Sequence, residues 1–468
     1  MSNMLKPLEN QGVSVARCPQ TCYNLVGKQN KQRRHPMARI ITQLTLFDYS
    51  EEVEKLGDLE RLVIALEGID DEALMRVLEK ERGNGRNDYP IRVMWNLEIA
   101  RRVFQHPRRS LFIRELNRNS QLRKLCGLND ADNKAHLVPP SRVFTRFNKL
   151  LMKHKAEVDK VFDNQVDFLY ETVEGFGEET AGDGKYVDSY AKNETKNVRE
   201  KTDERTENDA KYSKKEYHYE GADGKKKVKT ETHFGFKAHI LCDVKTELAL
   251  AVMVTPANYD EKKAMKEILD DLSDSRINTM KHLRLDRGYD SKDMITTIKS
   301  KGIVPLIDIR NCWKDGEKTK QYKNTDIVYN AYGEVYYMDY VEVTDEDGNT
   351  QYELQPVKMK YEGYDPQKKC LRYSHKGKTY KIYISYDERI FLPIARDSIK
   401  FKRLYNGRTA VERLNGRLDR DYMFEDHTIR GLAKMELEVK MALVVMNGMA
   451  VGKIKRKIDS IRSLTKAA

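Results

Sequence analysis

The sequence predicts an α/β protein: a mixed sheet with helices packed on it, an all-α N-terminal region and a late β-rich insertion. Three observations predict this. Apolar residues recur at helical spacing up to about residue 173. From about residue 178, short alternating runs are interleaved with helical ones. Residues 312–392 are rich in tyrosine and in turn signals such as "EDGN" and "SHKGK".

The elements follow in order. Residues 1–40 are polar and basic without apolar periodicity, which predicts a disordered tail. Residues 41–170 form the helical region. In its first helix Val53, Leu56, Leu59, Leu62, Val63 and Leu66 share a face. "GNGRNDYP" breaks the pattern, and after Pro90 a second helix carries Val93, Trp95, Leu97, Ile99, Val103 and Phe104. "SLFIRELNRNSQLRKLCGL" and "SRVFTRFNKLLMKHKAEVDKVFDNQVDFLYETVE" each predict one more, with Ser141 as the N-cap of the latter.

The core is expected over 171–311 and 393–452. "TAGDGKYVDSYA" reads as a strand running into a loop. Residues 192–229 hold twelve basic and nine acidic residues and almost no aliphatics, which predicts a solvated loop or mobile segment. "HFGFKAHILCDVKTELALAVMVTPAN" alternates as two strands, and "HLRLD" and "IVPLIDI" supply two more between helical stretches. After the insertion at 312–392 the chain reads as helical, ending in a basic tail at 453–468.

Charge narrows the partners. Lys and Arg number 85 against 73 Asp and Glu, a formal net charge of +12. Residues 92–149 alone hold thirteen Lys or Arg against four Asp or Glu. A local excess of this size suggests a polyanion, nucleic acid before membrane. Met441 to Met446 is too short and too closely preceded by charge to span a bilayer. The N-terminus lacks a signal-like apolar run. Of the six cysteines only Cys18 and Cys22 lie close, without a second pair at zinc spacing, so free thiols in a cytoplasmic protein are expected.

Three acids stand at expected element ends: Asp183 in "AGDGKYVDS", Asp286 in "LRLDRGYDS" and Glu412 on the late helix. A mixed sheet can bring strand ends and a helix face together, and three carboxylates suit hard cations such as Mg²⁺ or Mn²⁺. Asp188 competes with Asp183, and Asp243 and Asp290 are weaker candidates. Turn chemistry is the plainer reading of Asp183 and Asp286, since Asp-Gly is a common turn dipeptide and "DRG" can form one too.

Taken together, residues 90–450 resemble the DDE transposases of bacterial insertion sequences, which have an RNase H-like core. "DGKYVDSYA" is similar to the family's first-Asp block, "LDRGYDS" to its second, and "HFGFKAHILCDVKTELALAVMVTPANYDE" to the hairpin and helix between them. "RELNRNSQLRKLCGLNDADNKAHLVPPSRVFTRFNKLL" resembles the DNA-binding helices. Tyr405, Arg408 and Glu412 match a Tyr-Arg-Glu signature at its required spacing. That signature continues with a base seven residues past the Glu; here Asp419 stands there, and Arg420 is the expected substitute, beside Arg417.

The resemblance implies Asp183, Asp286 and Glu412 as ligands of two Mg²⁺ or Mn²⁺ ions. Arg408 would grip a phosphate near the scissile bond and Tyr405 a neighbouring phosphate oxygen, the plain alternative being an i,i+4 surface pair between Arg408 and Glu412. It implies double-stranded DNA, both element ends and target, as partner, a homodimer on DNA and a nucleoid-associated location. Arg101, Arg102, Arg108, Arg109, Arg114, Arg118, Arg123, Arg142 and Arg146 are the expected phosphate contacts, with Arg417 and Arg420 nearer the acids. Trp313 reads as a packing residue, the alternative being a stack for a displaced base. The competing functions are a repressor with a vestigial core and a nuclease that cuts without joining.

Overall fold

The computed structural model describes residues 56–83, 88–128, 138–191, 209–220, 226–344 and 350–457. The sheet that positions the site contains β1 (Glu179–Asp188), β2 (Lys211–Glu220), β3 (Lys226–Asp243), β4 (Ala249–Pro256), β5 (His282–Leu285) and β6 (Val304–Ile307). β3 pairs antiparallel with β1, β2 and β4, whereas β1, β5 and β6 run parallel. Parallel neighbours need crossovers. Helices α8 (Glu261–Asp271) and α9 (Asp274–Thr279) precede β5, and α10 (Lys292–Ser300) joins β5 to β6.

Alternation fixes what each face of β1 carries. Ala181, Asp183 and Lys185 share one face, and the register Ala181↔Arg284 puts Arg284 and, two residues on, Asp286 on it as well. Gly182 and Gly184 open the other face. A Cβ on Gly182 would stand 2.6 Å from Met265 Cε of α8, so glycine lets that helix close on the sheet.

Helices α11 (Ile399–Tyr405) and α12 (Thr409–Tyr422) cover the Asp183 face. Arg284 Nε donates to the Leu404 carbonyl at 2.5 Å, and Lys185 Nζ bonds Asp419 Oδ2 at 2.7 Å. α12 buries Ala410, Val411, Leu414 and Leu418 and leaves Glu412 and Arg413 outside, the stripe an amphipathic helix needs.

Residues 57–172 hold α1 (Glu60–Glu67), α2 (Glu72–Arg82), α3 (Ile91–Val103), α4 (Arg109–Arg118), α5 (Ser120–Leu125), α6 (Ser141–Lys153) and α7 (Lys155–Thr172), with no strand among the described residues. They share one apolar cluster with the sheet and with α13 (Leu432–Lys455). α13 is apolar nearly all round because it packs between these helices and β4. Its crossing with α1 brings backbones together: a Cβ on Gly68 would stand 1.8 Å from the Gly448 carbonyl oxygen, and one on Gly452 2.0 Å from that of Ile64. No helix among the described residues is long and apolar enough to cross a membrane.

The Tyr-rich segment folds as a four-stranded sheet, β7 (Thr319–Gln321), β8 (Ile327–Asn330), β9 (Val335–Thr344) and β10 (Thr350–Lys358), and a three-stranded one, β11 (Lys360–Asp365), β12 (Cys370–His375) and β13 (Lys378–Tyr383). It has its own core, including Tyr329, Val335, Tyr373, Ile382 and Phe391. Trp313 packs edge-on against Tyr329 at 5.9 Å between centroids, with Lys320 Nζ 4.7 Å from its ring centre, the arrangement of a packing residue.

Several local expectations are corrected. Asp183 lies within β1, not after it, because the strand continues through Gly184 to Asp188. Lys211–Glu220 and the start of β3 at Lys226 are paired strand where a solvated loop is expected; Tyr212 against Phe234, centroids 4.8 Å apart, supplies the cross-strand apolar contact that the charge count hides. Ser141 is the first residue of α6 and Pro140 its N-cap, with no side-chain cap. The expected third and fourth helices each break in two, at Asn119 and at His154. The tails at 1–40 and 458–468, Cys18, Cys22 and residues 192–208 lie outside the described residues.

Candidate active site

Asp183 and Asp286 face each other from adjacent strands. Asp183 accepts the Gly184 N–H at 2.8 Å, and Asp286, just past β5, accepts the Gly288 N–H at 2.7 Å. Burial pushes the Asp183 carboxyl up to about 6, and the Asp286 carboxylate adds to that, while the Gly184 N–H pulls the other way. Glu261 at the start of α8 raises it further and Arg408 lowers it.

The stretch above them is not one regular helix. α11 ends at Tyr405, a 3₁₀ turn spans Asn406–Arg408, and α12 begins at Thr409. The expected single stripe is therefore tightened, but its contacts persist. Arg408 Nη1 bonds Glu412 Oε1 at 2.7 Å, and the Arg408 guanidinium carbon lies 5.9 Å from the Tyr405 ring centre. The turn needs room: a Cβ on Gly407 would stand 2.8 Å from Arg284 Nε. Glu412 is half exposed and tied to Arg408. Among the described residues no three His, Cys, Asp or Glu are gathered closely enough to hold a metal ion. The structure thus brings Asp183 and Asp286 together and links Glu412 to them through Arg408.

The competing acids have structural work. Asp243 caps a turn, accepting the Gly177 N–H at 3.0 Å and the Thr246 N–H at 2.7 Å. Asp290 accepts from Arg389 at 2.6 Å and from the Arg310 N–H at 2.9 Å. Asp188 is exposed and meets His233 Nδ1 at 3.1 Å.

The expected DNA-contacting arginines divide. Arg108, Arg114, Arg142 and Arg146 are exposed. Arg118 is exposed but paired with Glu115, and Arg420 with Asp421 at 2.8 Å. Arg123 donates to the Leu116 carbonyl at 2.8 Å, and Arg109 lies 3.7 Å from Glu98. Three depart from the expectation. Arg101 and Arg102 are buried and bonded to Glu98 and Glu438, with Glu438 contacts of 2.7 and 2.6 Å. Arg417 is buried on Glu247 at 2.6 Å. Their donors are turned to internal carboxylates, away from a phosphate. Composition counts these charges alike, whereas α3 buries Arg101 and Arg102.

Sequence reasoning also missed three neighbours of the acids. Lys185 occupies Asp419, so the acid where a base is expected has its cation on β1. Glu261 pairs with the buried Lys237 at 2.7 Å; its signal was its place just after the Asp260 N-cap, at the start of α8. Tyr289 is fully buried with an unpartnered hydroxyl, and burial, then Asp183 and Glu261, holds that phenol well above its ordinary range.

Residues 200–447 match the family model described as "Transposase DDE domain". No curated protein matches the chain. The family match spans more than half of the 468 residues, takes in Asp286 and Glu412, and begins after Asp183. The chain belongs to the transposase DDE domain family.

Proposed function

We propose that this family member binds the ends of a DNA mobile element, cleaves a phosphodiester there and joins the freed 3′-OH to target DNA. The observation that carries the reading is the placement of Asp183 beside Asp286 beneath the segment from the end of α11 to the first turn of α12, which bears Tyr405, Arg408 and Glu412. The antiparallel β4-β3-β1 ladder continuing into parallel β5 and β6 supports an RNase H-like core. The Tyr-Arg-Glu spacing supports the insertion-sequence subgroup of bacteria, hence a cytoplasmic, nucleoid-associated homodimer on double-stranded DNA.

The residues fit divalent cations. Asp183 and Asp286 are neighbouring oxygen donors, and burial first, then the Asp286 charge, pushes Asp183 up to about 6, strain that a bound cation would relieve. Two Mg²⁺ (or Mn²⁺) ions held by Asp183, Asp286 and Glu412 would supply charge stabilisation at the attacking and leaving oxygens. In the first step a water oxygen bonds to phosphorus and the bond to the 3′ oxygen breaks, leaving 3′-OH and 5′-phosphate. In the second that 3′-OH attacks a target phosphodiester and displaces its 3′ oxygen. Arg408 exchanges Glu412 for a phosphate oxygen, which frees the Glu412 carboxylate to turn toward the two aspartates. The Tyr405 hydroxyl donates to the neighbouring phosphate.

Incubating the protein with Mg²⁺ or Mn²⁺, labelled element ends and a target plasmid tests this. Joined products are expected, and their loss in Asp183→Ala, Asp286→Ala and Glu412→Ala. Cleavage without joining would instead make the protein a nuclease, binding without a metal-dependent product a repressor, and full activity in any of the three variants would remove that residue from the site.

A further inference from the structure

A cleft of about 560 Å³ lies between the N-terminal helices and the catalytic core, away from the acids. One wall carries Arg108 before α4 and Lys149 on α6; the other carries Arg430 before α13 and Lys434 in its first turn. All four are exposed, and none has an ion-pair partner among the described residues. The one carboxylate lining the cleft, Glu438, is already engaged by Arg101 and Arg102, so the surplus positive charge is not cancelled from below.

The rim is also ordered in advance. Tyr190, two residues past β1, is 53% exposed, and the Arg430 guanidinium carbon lies 5.4 Å from its ring centre. The Tyr190 N–H donates to the Ile429 carbonyl at 3.2 Å, and the Leu432 N–H to Asp209 at 2.9 Å, which pins both ends of the loop holding Arg430. Tyr190 lies seven residues beyond Asp183 along the strand direction, at most about 23 Å. That is within one turn of a DNA duplex, about 34 Å.

We propose that this composite cleft is a seat for the backbone of duplex DNA, with Arg108, Lys149, Arg430 and Lys434 on phosphates and Tyr190 holding Arg430 in place. It rests on the reading of the chain as a DNA-handling enzyme, but extends it: the grip belongs half to the core. Two cations come from the helical region and two from beside α13, so the duplex itself would lock one part against the other. Four phosphate contacts give a salt slope of about −3.6 from this cleft, at about 0.9 per contact.

The test is binding without catalysis. Fluorescence anisotropy of the full chain with a labelled 30-base-pair duplex of arbitrary sequence, in EDTA, is followed as NaCl varies. The double variant Arg430→Gln/Lys434→Gln is expected to lower the slope by about 1.8 and the affinity roughly 60-fold at 0.1 M salt. Tyr190→Ala is expected to give a smaller loss, and Tyr190→Phe none. Lys160→Gln, an exposed cation of α7 outside the cleft, is expected to bind as wild type. An unchanged slope in the double variant, or an equal loss in Lys160→Gln, overturns the proposal. Because no metal is present, loss of strand transfer alone would count against the proposed chemistry and leave this cleft standing.

Discussion

Two regions of this molecule bury charge, and they do so in opposite ways. Around α3, Arg101 and Arg102 sit between Glu98 and Glu438, with Arg109 at the edge, each carboxylate matched by cations of the chain itself. Burial opposes the Glu438 charge, but the two arginines hold its carboxyl down to about 2. On β1 and β5, Asp183 and Asp286 lie acid beside acid, and Asp183 rises to about 6. The first cluster is complete within the chain. The second sets like charges side by side, and it is where the proposed cations would bind. Charge balance, more than burial, separates the structural cluster from the candidate chemical one.

That contrast can be broken at several points. The largest effect belongs to Asp183→Ala or Asp286→Ala, each expected to lower strand transfer at least ~10³-fold, about 4 kcal/mol of transition-state stabilisation. Time courses with labelled ends measure it, and urea unfolding should show the fold intact.

Next comes Glu438→Ala. It leaves Arg101 and Arg102 buried with too little negative charge and is expected to cost about 3–5 kcal/mol in urea unfolding. A loss below 1 kcal/mol would mean that the cluster is not what holds α3 to α13.

Asp183→Asn should move stability the other way, by about 1–3 kcal/mol at pH 7, because it removes a buried charge and, after that, its repulsion with Asp286. Here the sign follows from the shift. The folded carboxyl lies at about 6 against an ordinary 3.8, so the folded state binds more protons between those values. Wild-type stability therefore falls as pH rises from about 4 to about 6, and the variant should lack that slope. Mn²⁺ should raise the melting temperature of the wild type more than that of the variant.

The smallest effect is expected at an exposed pair. Arg118, 79% exposed, meets Glu115 on α4, and Arg118→Gln should cost less than about 0.5 kcal/mol.

Much of the sheet was legible because apolar alternation writes strands directly: Phe236, Ala238 and Ile240 on β3 announce themselves. The extension of β3 was not, since its pairing with β2 rests on backbone bonds and on Tyr212 against Phe234 amid many charges. At the site, the positions of Asp183 and Asp286 on one sheet face follow from strand register, which a linear sequence does not contain. The arginines show the same limit. Arg101 and Arg108 look alike in composition, yet one is buried against Glu438 and the other is exposed on the cleft rim. Only the burial of α3 separates them. Asp419 looked anomalous until β1 supplied Lys185 across from it.

The close crossing of α1 with α13 has a consequence for how the protein is made. Ile64 touches Gly452, a partner 388 positions later in the chain. At ribosomal speeds of about 5–20 residues per second, the first helix waits roughly 20–80 s for the surface that covers it. Through that interval its apolar side is open to chaperones and to other nascent chains. A chain released before α13 is made also lacks Lys434 and the Leu432 N–H that pins the loop of Arg430, so the proposed grip on DNA through that cleft would belong to chains translated past the first turn of α13.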